Sequence, residues 1–106
     1  MAKFLIEATY TADGVQGIQS AGGSSRRDAV AKALESTGGS LDSFHFAFGD
    51  SDAYVIVDAP DNVTAAAVGL TVNATGAVRT KTVVLLTPEE VDAAAEKSIN
   101  YVPPGG

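Results

Sequence analysis

The chain has 106 residues, 45% of them hydrophobic, with no cysteine and a formal net charge of -6. That length holds one domain with one hydrophobic core. The acidic balance argues against nucleic acid, whose phosphates need a clustered basic surface, and the lack of cysteine excludes disulfides, thiolate metal sites and cysteine nucleophiles.

At the N-terminus, Met1-Ala2-Lys3-Phe4 carries no apolar signal core. No apolar run approaches the ~20 residues of a membrane-spanning helix. The expectation is a cytoplasmic protein with neither nucleic acid nor membrane as a partner. Residues 3–10 alternate, with Phe4, Ile6, Ala8 and Tyr10 on one side and Lys3, Leu5, Glu7 and Thr9 on the other. That predicts a strand, β1. Thr11 is placed to cap a helix running to about Thr37. Gly22-Gly23 interrupts it, Ser24 or Ser25 can restart it, and Gly38-Gly39 stops it. Val30, Ala33, Leu34 and Thr37 mark its inner face.

Leu41 to Phe48 reads as β2, Gly49-Asp50-Ser51-Asp52 as a tight turn, and Ala53 to Ala59 as β3. Pro60 ends β3, and Asp61 caps a helix whose apolar stripe is Val63, Ala66, Ala67 and Leu70. Gly76 terminates it. Val78 to Leu86 is β4. Thr87-Pro88-Glu89-Glu90 then combines a cap, a proline at the first helical position and acids at the positive end of the dipole. This last helix runs to about Lys97, and an extended tail from Tyr101 to Gly106 follows.

The order βαββαβ plus a terminal helix is the ferredoxin-like α+β pattern, with an antiparallel four-stranded sheet and β1 and β3 in its middle. A two-residue loop at Asp50-Ser51 would pair Phe46 with Val55 and His45 with Ile56. The first face then holds Phe44, Phe46, Phe48, Ala53, Val55 and Val57, joined by Phe4, Ile6 and Ala8 and by Thr80, Thr82 and Val84. Helices cover it. The second face collects Leu5, Glu7, Thr9, Leu41, Ser43, His45, Ala47, Asp52, Tyr54, Ile56, Asp58, Arg79, Lys81, Val83 and Leu85. It is too apolar for a wetted surface and too polar for a dry core. Two such faces packed together would form a dimeric α/β barrel enclosing a partly polar cavity.

Several segments resemble the GYD domain family: Phe46-Ala47-Phe48-Gly49-Asp50-Ser51-Asp52, Ile56-Val57-Asp58-Ala59-Pro60-Asp61 and Val78-Arg79-Thr80-Lys81-Thr82. Ala2 to Ile6, Gly22 to Val30, Leu86 to Glu90 and Tyr101 to Pro104 are similar to it as well, so the likeness spans nearly the whole chain as one domain. Serine stands in Gly49-Asp50-Ser51-Asp52 where the Gly-Tyr-Asp element of the family has an aromatic. The resemblance implies a branch of the dimeric α/β barrel group, with a homodimer or higher homo-oligomer. That group includes cofactor-free monooxygenases, isomerases and dehydratases, as well as ligand-sensing domains.

Five second-face residues are candidates for chemistry. His45, the only histidine, suits a general base or a ligand-orienting donor. Tyr54 suits a hydrogen bond to a substrate oxygen. Glu7, Arg79 and Lys81 suit an anion pocket. The plainer alternatives are a hydrogen-bonded interface histidine and tyrosine and a cross-strand ion pair. Asp50, Asp52 and Asp58 lack the spacing of a metal site, and Arg26-Arg27 lacks the lysine of a phosphate loop. No metal and no cofactor is expected. The leading expectation is an uncharacterised homo-oligomer binding a small molecule, an anion being one option, in a cavity on the sheet face at the dimer interface. The alternatives are a cofactor-independent monooxygenase, isomerase or dehydratase using His45 and Tyr54, and a ligand-free assembly module.

Overall fold

In the computed structural model, which describes all 106 residues, β1 (Ala2–Tyr10) lies inside a sheet of order β2-β3-β1-β4. All three pairings are antiparallel. The other strands are β2 (Ser40–Phe46), β3 (Ala53–Ala59) and β4 (Val78–Leu85). Two helices, α1 (Ala12–Ala21) and α2 (Gly23–Glu35), carry the chain from β1 to the far edge. Helix α3 (Asn62–Ala74) carries it from β3 to the opposite edge, and α4 (Pro88–Ala95) follows β4. Both crossovers put their helices on one face, so the central strands are the expected β1 and β3.

The caps explain where the helices begin. Thr11 accepts the Gly14 N–H, and its hydroxyl donates to the Ala77 carbonyl, which ties the start of α1 to β4. Asp61 accepts the Thr64 N–H. Thr87 and Glu90 close a reciprocal capping box with Pro88 behind the cap. The break between α1 and α2 falls at Gly22, whose φ of 91° suits glycine. Gly22 also heads α2 without a side-chain cap, so Ser24 and Ser25 lie within the helix rather than restarting it.

The core consists of Phe4, Ala8, Leu34, Ala53, Val55, Val57 and Ala59. Strand β3 contributes most of it, because its odd-numbered residues all face the helices. Only nine residues are buried, since no helix covers the other side of the sheet.

Five expectations need correction. Strand β2 ends at Phe46, and Phe48 is fully exposed rather than in the core. The Ala47 N–H donates to the Asp52 carbonyl, closing a loop of residues 48–51. Phe46 therefore faces Ala53, and Phe44 faces Val55, a register two residues from the expected one with the same faces. A bulge between Leu41 and Ser43 sets Leu41 opposite Val57, so Leu41 packs on the helix side and leaves the second face. In α3 the inward residues are Ala65 and Val68, while Val63 and Leu70 point to solvent. Val84 shares the helix side with Phe4 but is half exposed, because α3 leaves an open groove of about 500 Å³ beside β4.

Candidate functional site

The pairing of the strands brings four of the five candidate residues into one row. His45 faces Tyr54 across β2 and β3, Tyr54 faces Glu7 across β3 and β1, and Glu7 faces Lys81 across β1 and β4. Side chains so paired share a face, with Cβ atoms about 4.5–5.5 Å apart. The row thus crosses the whole uncovered side of the sheet. Arg79 sits beyond it, opposite Thr9 and exposed.

The next row along the strands is Ser43, Ile56, Leu5 and Val83. It forms a mostly apolar band, and all four residues are partly buried although no element lies above them. Beyond that band lies a second charged group. Lys3 bonds Asp42 at 2.9 Å and Asp58 at 3.1 Å. The hydrogen bond from Lys3 to Asp42, and then that to Asp58, holds the lysine pKa above its usual value. The uncovered face therefore reads polar row, apolar band, ion cluster.

Within the polar row, Lys81 Nζ stands 4.0 Å from Glu7 Oε2. The lysine side chain is 77% exposed and the glutamate 22%. An ion pair this exposed stabilises a fold by no more than ~1 kcal/mol, which leaves the lysine able to turn toward an anion. Tyr54 stands in the row between an imidazole, His45, and a carboxylate, Glu7. No three histidine, aspartate or glutamate side chains gather as a metal would need. Asp52 instead accepts the Tyr10 N–H at 2.9 Å, at the end of β1.

The three principal cavities all lie on the other side of the sheet, among the helices. The innermost, about 90 Å³, is apolar except for Tyr10, Arg26, Thr80 and Thr82 at its edges. Reading the sequence missed this place. Tyr10 was legible only as a core-side residue of β1, and Arg26 only as part of a solvated helix start.

An antiparallel sheet in the order β2-β3-β1-β4, with its connecting helices on one face, defines an α+β protein compatible with the ferredoxin-like class. No helix is long and apolar enough to cross a membrane. Residues 4–95 match the GYD domain, and the chain belongs to the GYD domain family, as its sequence segments implied. Neither the curated proteins nor the solved structures yield a match to it.

Proposed function

We propose that this GYD domain protein is a homo-oligomeric α/β-barrel protein that binds a small anionic molecule between the uncovered sheet faces of two copies. The observation that carries this reading is the layout of that face. An apolar band of Ile56, Leu5 and Val83 lies beside the row His45, Tyr54, Glu7 and Lys81. The band supplies what a second copy would bury, and burial of apolar surface drives association. The row supplies polar groups that a dry interface would leave unsatisfied, so a ligand between the sheets takes up their hydrogen bonds. Lys81 and Arg79 set the sign of that ligand as negative.

The reading is tested by sedimentation and by binding. The wild-type chain sediments as a dimer or larger at micromolar concentration, and Leu5→Glu with Ile56→Glu makes it monomeric. A wild-type monomer at that concentration overturns the assembly. In a screen of small carboxylates and phosphates, Lys81→Ala weakens binding by roughly tenfold or more, as expected for a lost charge-assisted hydrogen bond. Unchanged binding in Lys81→Ala and His45→Ala removes this row from the site.

A second reading rests on the adjacency of His45 and Tyr54. A base beside a phenol is suited to cofactor-independent proton transfer in an isomerase, dehydratase or monooxygenase. It predicts that His45→Ala keeps ligand binding but abolishes turnover.

A further inference from the structure

The helix side of the sheet holds a feature independent of the uncovered face. Ile6, Val55 and Val78 from the sheet and Val30, Val68 and Val72 from the helices line the apolar cavity of about 90 Å³. A concave space with so apolar a lining suits an apolar guest. Tyr10 and Arg26 line this cavity and also a second one, about 290 Å³, between α1 and α2. They therefore stand where the two spaces meet. Arg26 takes part in none of the chain's ion pairs. Tyr10 enters the side-chain hydrogen bonds only through its backbone N–H, leaving its hydroxyl free to donate.

We propose that this pair of cavities is a binding site for a small amphipathic carboxylate. Its branched or unsaturated hydrocarbon end fills the inner space, and its carboxylate meets the Arg26 guanidinium and the Tyr10 hydroxyl. A mostly apolar pocket with a few convergent polar groups is the usual form of a small-molecule site. Arg26 gives the site its sign in a chain whose net charge is -6. Asp13, the one acid lining the outer cavity, disfavours ligands with a second negative charge. Burial raises the Tyr10 pKa, which keeps the phenol protonated as a donor. The inner volume is below the ~150 Å³ that accommodates benzene in a cavity of this kind, so branched aliphatic acids fit better than aromatic ones.

Gly69 provides a test that does not depend on removing a polar group. A Cβ at Gly69 would meet nothing closer than Thr80 Oγ1 at 4.0 Å, so a larger side chain can enter the cavity from α3 without a backbone clash. The full chain is titrated with isovalerate and phenylacetate, with isovaleramide and phenylacetamide as uncharged controls. Binding is read from amide proton–nitrogen correlation spectra. Isovalerate shifts the amides of Ile6, Val30 and Val72, and binds more tightly than isovaleramide. Arg26→Ala weakens isovalerate by roughly tenfold to a hundredfold and leaves isovaleramide unchanged. Gly69→Leu keeps a dispersed, folded spectrum and abolishes the shifts; if it does not fold, Gly69→Ala serves as the smaller block and weakens them. Saturating isovalerate without shifts at the cavity amides overturns the proposal. So does equal binding of acid and amide, or wild-type affinity in both Arg26→Ala and a folded cavity-filling variant. The sheet separates this site from the uncovered face, so Lys81→Ala leaves it untouched.

Discussion

Asp61 caps α3 with a carboxylate that accepts hydrogen bonds from Thr64, and those bonds lower its pKa from the usual 3.8. A depressed folded-state pKa adds stability above the unfolded value, and that stability is lost as pH falls through the folded value. Asp61→Asn keeps a capping oxygen but cannot titrate. The wild type should therefore exceed Asp61→Asn in stability at neutral pH, and the gap should close as pH drops below 3.8. Urea denaturation at several pH values measures it; a gap that stays constant into acid would show that the charge is immaterial. Phe4 makes the complementary case in the core. It is 1% exposed and lies between Val57 and Val84. Phe4→Ala should cost about 3–5 kcal/mol, a large part of the ~5–15 kcal/mol that holds a small domain folded. A loss below about 1 kcal/mol in urea denaturation would place Phe4 outside the core. Phe4 was legible from alternation alone, because the opposite side of β1 carries Glu7. Phe48 was not, because the same alternation continues past the point where pairing stops.

At the scale of elements, the caps of α1, α3 and α4 and the strand parity were readable, and the start of α2 and the placement of β2 were not. Parity depends on the side-chain period of a strand, so a register shift of two residues leaves the faces intact. The bulge at Asp42 leaves no such mark. Its extra residue turns Leu41 toward the helices and frees Asp42 to bond Lys3, a pairing that sequence separation hides. Helix α3 was harder still, because valine and alanine surround it on all sides. Several stripes fit that pattern, and only the packing against the buried core selects Ala65 and Val68. The polar row had the opposite character. Each member was legible by face, yet its alignment across four strands required the true register, since the expected one paired His45 with Ile56. The helix-side cavity had no sequence signal, because a void is made by the side chains that fail to meet.

The whole molecule is longer than a chain of this size should be. Its radius of gyration is 16.9 Å and its extents are 56 × 33 × 23 Å, against ~13 Å for an ordinary domain of about 100 residues. The excess belongs to the C-terminal arm, where every residue from Leu86 onward is exposed. Helix α4 has eight residues and a strong cap but no packed partner of its own. Isolated helices shorter than ~12–15 residues are marginal in water. The capping box therefore sets where α4 starts, and does not by itself keep it formed. Because the arm contributes nothing to the core, ending the chain at Leu86 should leave the body folded. Its thermal midpoint, taken at low concentration, should move by less than about 3 °C, as for other surface changes. X-ray scattering of the shortened chain as a monomer should give a radius of gyration near ~13 Å. A larger fall in midpoint would mean that the arm folds back onto its own body. A fall that appears only at concentrations where the full chain associates would place the arm, with Val91, Ile99 and Tyr101, against a neighbouring copy.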